Sequence, residues 1–184
     1  MLNPFLEIPR NSVVAVGFPL VFGSLSGWAT ASVVRGPWYK NLNPPPARPP
    51  NRAFGIVWPI LYASMGYASH LIVKTFDNSF DPSTRQLAQL ALTLYWAQLA
   101  GNYLWTPLFF QLKQTGLALL DIVALTGTVY ALTNVSSKLS SPAPAGITPA
   151  LLFAPYCAWL TYATYLNAGY WYLNYSPWAR PKQD

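Results

Sequence analysis

The sequence contains very few charged residues. Only 9% of its 184 residues are Asp, Glu, Lys or Arg, against about 25% in an ordinary soluble domain. Hydrophobic residues make up 53%, so the chain has too little polar surface for a water-facing shell. The net charge of +6 arises from scarce acids more than from abundant bases, and the bases are scattered. No run of Lys or Arg therefore indicates nucleic acid as a partner.

The residues that build most catalytic and metal centres are equally scarce. Cys157 is the only cysteine and His70 the only histidine, which excludes an intramolecular disulfide and a multi-cysteine metal site. Of the five acids, only Asp121 falls within a predicted span. No carboxylate pair, Ser–His–Asp set or phosphate-binding glycine loop can be assembled inside a bundle from these residues. We therefore do not expect conventional acid–base or metal catalysis.

The sequence does contain several long segments without Lys or Arg. Each can cross a bilayer, because a spanning helix needs about 20 mainly apolar residues. Five spans and short connections use nearly the whole chain, so we predict one all-α membrane domain over residues 1–184, a five-transmembrane-helix bundle. The predicted helices are 13–34, 54–76, 87–105, 109–135 and 149–173.

Prolines divide and bend these helices. Pro19, Pro59 and Pro155 fall within the first, second and fifth predicted helices, and Pro107 marks the junction of the third and fourth. A proline inside a span frees a carbonyl and kinks the helix, which either opens a cavity or is absorbed by packing. The proline-rich segment 43–50 cannot be helical and predicts a stiff, extended loop.

The connections also predict a helix start and an orientation. Asp81 and Ser83 are candidate N-caps for the third helix. Five spans place the termini on opposite faces, and the proline-rich loop lies on the face with more cations, which is retained in the cytosol. That face carries Arg35, Lys40, Arg48, Arg52, Lys113, Arg180 and Lys182, and the other carries Arg10, Lys74, Arg85 and Lys138.

Aromatic residues make up 16% of the chain and form stripes on two predicted helices. The stripes are Trp58, Tyr62, Met65 and Ser69 on the second helix, and Tyr156, Trp159, Ala163, Leu166 and Tyr170 on the fifth. Helical spacing places each stripe on one face. Two interpretations are open: a packed core, or the wall of a cavity in which indole and phenol rings stack on a flat conjugated ligand.

Polar residues inside the spans have structural and functional interpretations. A carboxylate at membrane depth is a functional candidate, but structural hydrogen bonding is the favoured role for Asp121. Gln98, Asn102 and Asn167 are candidates for hydrogen bonds between helices. Because His70 has no second ligand in view, hydrogen bonding is favoured over haem ligation. The small residues at 23–27 fit either a homodimer contact or packing within one bundle.

Several blocks together resemble the translocator protein family, also called tryptophan-rich sensory proteins or peripheral-type benzodiazepine receptors. The blocks occur in the family order and cover most of the chain. They include residues 38–39 (WY), 54–58 (FGIVW), 61–69 (LYASMGYAS), 98–102 (QLAGN), 105–110 (WTPLFF), 155–160 (PYCAWL) and 166–167 (LN).

The resemblance implies a five-helix bundle whose pocket opens toward the cytosolic loop. The implied ligands are porphyrins, such as protoporphyrin IX or haem, together with sterols and synthetic aromatic drugs, with no covalently bound cofactor. Eukaryotic members usually reside in the outer mitochondrial membrane. The implied ligand-binding residues are Trp58, Tyr62, Asn102, Trp105, Leu117, Trp159, Ala163 and Leu166, and the cations that could attract propionates are Lys40, Arg48 and Arg52.

The sequence departs from the family pattern at three places. Leu117 aligns with a pocket tryptophan of mammalian members, Ala168 with the tyrosine of their cholesterol motif, and Ala47 with a frequent loop tryptophan. Because of these departures, we do not infer from the resemblance that this chain binds mammalian-type drugs or recognises sterols as mammalian members do.

The leading hypothesis is a receptor for tetrapyrroles and lipids, with lipid, porphyrin, sterol and a second copy as partners. The first alternative is a light-dependent porphyrin-degrading activity that uses the matching tryptophans Trp58 and Trp159. The second is a sterol carrier or scaffold.

Overall fold

The computed structural model describes residues 4–140, 143 and 146–179, and their regular structure is helical. Within these residues there are seven α-helices and no strand, which confirms the predicted all-α class. The helices are α1 Pro4–Arg10, α2 Ser12–Arg35, α3 Pro37–Lys40, α4 Asn51–Asn78, α5 Pro82–Thr106, α6 Thr115–Ser136 and α7 Pro149–Tyr175, with a π-helical turn at Pro107–Gln111 between α5 and α6.

The five long helices correspond to the five predicted ones. Among the described residues, α2, α4 and α6 are long and apolar enough to cross a membrane. Helices α5 and α7 are of similar length, with 25 and 27 residues, but they carry more amide and aromatic side chains. The chain is therefore a helical membrane protein.

Two helix starts differ from the prediction by five residues or more. Helix α5 begins at Pro82 rather than at 87, because the Asp81 carboxylate accepts from Ser83 N at 3.4 Å and from Thr84 N at 2.9 Å. This confirms Asp81 as the N-cap. The predicted start of the fourth helix at 109 is wrong, since α6 begins at Thr115. Pro107 starts a π-helical turn there, and Lys113 has a left-handed φ of 56° that interrupts the helix.

The short helices α1 and α3 were not predicted. Helix α1 lies across α2 and α4 and also touches α5. Its Arg10 donates to both oxygens of Asp77 at 2.9 Å and pairs with Glu7, and the Pro9 carbonyl lies 2.8 Å from His70 Nδ1. This contact accounts for the lone histidine, as the favoured interpretation expected.

The long helices form a closed ring. Helix α2 packs on α4, α4 on α7, α7 on α6 and α6 on α5, while α5 returns to contact both α4 and α2. The core lies at the centre of this ring. Its largest fully buried side chains include Tyr95, Tyr156, Phe153, Met65, Leu71 and Ile72.

A proline and a glycine allow α2 and α4 to approach closely. Pro19 has no N–H, so the carbonyl of Ala15 receives no hydrogen bond from within α2. That carbonyl faces Gly66 of α4, where an added Cβ would lie only 2.4 Å from the oxygen. The proline thus frees a carbonyl whose approach only glycine permits.

Helices α6 and α7 are joined by a row of hydroxyl contacts. Thr126 and Thr164 are 2.9 Å apart, and Tyr130 and Thr161 are 3.0 Å apart. Thr133 extends the row toward Cys157, at 3.2 Å from its sulfur. These pairs satisfy polar groups that lipid cannot.

The described cations divide between two ends as the sequence predicted. At one end Arg10 bonds to Asp77, and Thr75, next to Lys74, donates to the carbonyl of Ser140. At the other end Lys113 lies over the Trp38 ring, 5.6 Å from its centroid. Arg180 and Lys182 lie outside the described residues, and the cytosolic orientation stays a prediction.

The close approach of α2 and α4 gives a stability prediction. Gly66→Ala places a methyl group against the Ala15 carbonyl, so it should lower the free energy of unfolding by about 1–3 kcal/mol through overpacking. Gly127→Ala is the matched control, because nothing lies within 4 Å of a Cβ there, and alanine should be neutral or stabilise α6 by up to about 1 kcal/mol. Thermal unfolding of the purified protein in detergent measures both; equal melting temperatures would contradict the packing argument.

The Asp81 cap gives a pH prediction. Hydrogen bonds from Ser83 and Thr84 hold the pKa of the Asp81 carboxyl well below its usual range, so its contribution to stability is present above the unfolded pKa of about 3.9. That contribution is lost as the pH falls through the lower, folded pKa. Asp81→Ala should therefore lower the melting temperature at neutral pH, and the difference from the original protein should shrink in strong acid. Asp81→Asn, which still caps, should show a smaller loss.

Candidate functional site

Four aromatic rings meet where α4 faces α7. Trp58 and Tyr62 of α4 stack with centroids 5.5 Å apart, and Trp58 makes edge contacts with Tyr156 at 6.2 Å and Trp159 at 6.3 Å. We call these four residues the aromatic cluster. The two stripes read from the sequence thus face each other inside the bundle.

A polar centre fixes two rings of the aromatic cluster. The hydroxyl of Tyr62 donates to Asn102 Oδ1 at 2.7 Å, and Asn102 Nδ2 donates to the hydroxyl of Tyr156 at 2.8 Å. None of the three side chains is more than 7% exposed. One amide on α5 therefore joins α4 and α7, which confirms Asn102 as an interhelical link.

A glycine on α2 makes room for the same rings. A Cβ at Gly23 would lie 2.1 Å from the ring of Tyr62, whereas nothing lies within 4 Å of a Cβ at Gly27. Gly23 thus serves packing within the bundle, which was one of the two interpretations of the small residues. The face at Gly27 is open.

Packing around the aromatic cluster is tight on one side of Gly23 and loose on the other. The buried residues of α2 are Ala15, Pro19 and Gly23, and residues 24–35 contain none. Helices α2 and α4 are antiparallel, so this open half of α2 lies beside the N-terminal half of α4, which carries Trp58. The bundle is therefore least closed next to the aromatic cluster.

Trp159 connects the aromatic cluster with a cleft on the outer surface. The cleft lies between α4 and α7 and has a volume of about 490 Å³, within the range of small-molecule sites. Its walls are mainly apolar: Val57, Ile60, Leu61, Pro155, Ala158, Trp159 and Tyr162. Trp159 Nε1 is buried and has no hydrogen-bond partner among the described residues, so it could donate to an acceptor that a ligand brings.

The proline-rich loop is anchored on α7 beside this cleft. The hydroxyl of Tyr162 donates to the carbonyl of Ala47 at 2.6 Å, and that of Tyr165 donates to the carbonyl of Pro46 at 3.0 Å. Asn174 both accepts from the backbone N–H of Asn43 and donates to its carbonyl. The loop is non-helical, as predicted, and it covers one end of α7.

The three predicted loop cations differ in their surroundings. Arg48 lies over the Tyr39 ring at 5.5 Å and bonds to Asn51, and its Nε is buried without a hydrogen-bond partner among the described residues. Lys40 and Arg52 are exposed. Arg48 is thus held in place, and Arg52 is open to solvent at the loop.

The other predicted pocket residues lie at varying distances from the aromatic cluster. Ala163 packs against the same core, and Leu166 is buried. Trp105 belongs partly to a second group of rings: it stacks on Phe109 at 5.0 Å. Leu117 is 52% exposed on α6 and is not part of the core.

The remaining polar candidates within the helices agree with the predictions to different degrees. Asn167 accepts from Trp105 Nε1 and donates to the carbonyl of Thr115, so it links helices as expected. Gln98 reaches only the sulfur of Met65, at 3.7 Å, and its Oε1 has no partner among the described residues. The carboxylate of Asp121 faces Gly101, and its Oδ2 is likewise unpartnered there. The structural hydrogen bonding favoured for Asp121 is therefore not seen at Oδ2 among the described residues.

Sequence reasoning missed the residues that hold the loop. Tyr162 and Tyr165 are three residues apart on α7 and follow Trp159 closely in the sequence. No contact was predicted for their hydroxyl groups. A tyrosine hydroxyl in a membrane helix needs a partner. The need of each hydroxyl for a partner was the signal that could have predicted these contacts with the proline-rich loop.

Comparison with known proteins gives consistent results. Residues 15–173 match the model of the TspO/MBR family. The translocator protein of Bos taurus is 41% identical over 165 residues, covering 88% of this chain and 90% of the relative. A translocator protein homolog of Schizosaccharomyces pombe is 42% identical over 136 residues, covering 74% and 77%. The tryptophan-rich sensory protein of Cereibacter sphaeroides is 34% identical over 145 residues, covering 79% and 80%. The chain therefore belongs to the TspO/MBR family.

Proposed function

We propose that the protein is a membrane receptor for porphyrins and sterol-like lipids, with five spans formed by α2, α4, α5, α6 and α7. The ligand would lie against Trp159, between the cleft and the aromatic cluster. Ala163 and Leu166 would form the wall further along α7. Such a receptor would take part in handling tetrapyrroles or sterols, in the outer mitochondrial membrane if the source is eukaryotic.

The observation that carries this proposal is the setting of Trp159. Its ring contacts Trp58 on one side and lines the cleft on the other, while its N–H is unpartnered among the described residues. A flat conjugated ligand can stack on such rings and offer an acceptor to the indole. A mostly apolar cleft thus has in its wall a tryptophan whose buried N–H is unpartnered among the described residues.

The charge around the loop fits the carboxylates of a porphyrin. Arg52 is exposed in the first turn of α4, and Arg48 is held at the adjoining end of the loop by its bond to Asn51. Propionate groups would lie toward these cations while the macrocycle enters the apolar cleft. Lipid headgroup contact is the competing role of the same side chains.

Binding is tested by titrating the detergent-solubilised protein with protoporphyrin IX and following tryptophan fluorescence. We expect saturable quenching, and Trp159→Phe should weaken binding about tenfold through the lost stacking and hydrogen bond. Trp28→Phe is the matched control, because Trp28 is 81% exposed on α2. Equal affinities for the two variants would place the ligand elsewhere. A parallel titration with cholesterol separates a porphyrin receptor from a sterol carrier, since cholesterol alone would saturate the latter.

A light-dependent porphyrin breakdown is the second candidate. The adjoining indoles of Trp58 and Trp159 favour it, because an indole beside a photo-excited macrocycle can donate an electron without acid–base residues. Dioxygen would be the oxidant. No carboxylate pair or histidine in the cleft is needed for this reaction.

Illumination of the porphyrin complex in air tests this second candidate. New absorbing species should form in the original protein and be lost in both Trp58→Phe and Trp159→Phe, while Trp28→Phe should retain them. Absorbance spectra before and after illumination give the result. If all three variants form the same products at the same rate as free porphyrin, the activity is absent and the receptor hypothesis alone is left.

A homodimer stays part of the proposal. The open face of α2 at Gly27, with Leu25 and Trp28 exposed, is the surface that would meet a second copy.

A further inference from the structure

A second cleft lies at the opposite end of α4 from Trp58. Its volume is about 300 Å³, and its walls include Phe5 and Leu6 of α1, Phe76 of α4, and Gln89, Thr93 and Trp96 of α5. Helix α1 precedes residues 15–173, which match the family model. One wall of this cleft is thus formed by a segment outside the matched range.

The wall formed by α1 is held firmly. Trp96 Nε1 donates to the carbonyl of Phe5 at 2.9 Å, and the two rings meet edge to face at 5.5 Å. At the other end of α1, Arg10 donates to both carboxylate oxygens of Asp77. The cleft is therefore bounded by anchored side chains on both sides.

The cleft becomes less polar along α5. Arg85, Gln89 and Thr93 are four residues apart and Trp96 follows three later, so all four share one face of the helix. From Gln89 to Trp96 the helix rises about 10 Å. If α5 spans the membrane as proposed above, Arg85 lies near the membrane–water interface, because α5 begins at Pro82, and Trp96 lies deeper.

Arg85 is held in place, but some of its hydrogen-bond donors have no partner among the described residues. Its guanidinium lies over the ring of Phe76 at 4.1 Å, and Nη1 donates to the carbonyls of Phe76 and Ser79. Its Nε and Nη2 form no hydrogen bond to the described residues. The neighbouring acids are engaged, Asp77 with Arg10 and Asp81 with the first turn of α5. A positive charge with unused donors therefore lies one helical turn above the polar end of the cleft.

We propose that this cleft binds an anionic membrane phospholipid, with one acyl chain along α5 and the phosphate on Arg85. The order of cation, amide, hydroxyl and aromatic ring along α5 matches the order of phosphate, ester and hydrocarbon in such a lipid. A guanidinium at the interface attracts a lipid phosphate. A sterol, which has no anionic group, would leave Arg85 unused.

The test uses Trp96 as a reporter inside the cleft. The full chain is reconstituted in phosphatidylcholine bilayers containing a minor fraction of phosphatidylglycerol brominated on its acyl chains, and the same measurement on Trp96→Phe isolates the Trp96 fluorescence. We expect Trp96 to be quenched more than the bulk fraction of brominated lipid predicts. Arg85→Gln should reduce this selective quenching about fivefold, the effect of one cation near the surface.

Two further variants keep the result interpretable. Arg85→Lys retains the charge and should retain most of the selective quenching, even where Arg85→Gln loosens the α4–α5 turn. Lys74→Gln, which removes an exposed positive charge from α4 outside the cleft, should leave it unchanged. Quenching that follows the bulk fraction in the original protein would overturn the proposal, as would equal quenching in Arg85→Gln and Lys74→Gln. Relief of quenching by dissolved inorganic phosphate, or by cholesterol irrespective of residue 85, would also overturn it.

Discussion

The hydrogen bonds of Asn102 are the constraint on which the rest of the bundle depends. In a bilayer an unpaired polar group finds no water, so the hydroxyls of Tyr62 and Tyr156 need partners supplied by the protein. Asn102 offers one acceptor and one donor, and both are used, at 2.7 and 2.8 Å. Since the three residues belong to α4, α5 and α7, these two hydrogen bonds fix the relative positions of three helices through a single amide.

The position of the aromatic cluster follows from this centre. Tyr62 is held by Asn102 and pressed against Gly23, so Trp58 stacks one turn nearer to the open half of α2. Trp159 then packs edge-on against Trp58, and its outer surface becomes the wall of the cleft. A rigid polar centre therefore lies beside a loosely packed region. This combination fixes aromatic rings at the edge of the cleft while the rest of the bundle stays closed.

The sequence predicts those features that depend on local pattern. Apolar runs predicted the five long helices, turn-forming residues before the third helix predicted Asp81 as one of two N-caps, and helical spacing predicted a common face for Trp58 and Tyr62. Features that depend on distant partners could not be predicted. The start of α6 at Thr115 depends on a left-handed residue at Lys113, which has no strong local signature. The same is true of the unpartnered oxygen of Asp121, because only the fold shows that the side chain faces Gly101.

The roles of individual candidate residues divide in the same way. Spacing placed Trp58 and Trp159 on stripes of the second and fifth predicted helices, and the structure places their rings in contact. Leu117, aligned with a family tryptophan, is half exposed on α6, and no periodicity in α6 distinguishes that position from a lipid-facing one.

The side chain of Ala47 is not needed to hold the proline-rich loop in place. Tyr162 and Tyr165 bond to the backbone carbonyls of Ala47 and Pro46, so the loop is anchored without any contribution from the alanine side chain. Ala47 adopts a left-handed φ of 59°, which costs a non-glycine residue about 1–2 kcal/mol; the two hydrogen bonds offset a cost of this size. A large side chain at 47 is therefore dispensable for loop position. The rings next to the loop's anchor are those of α7, where Trp159 lies between the aromatic cluster and the cleft.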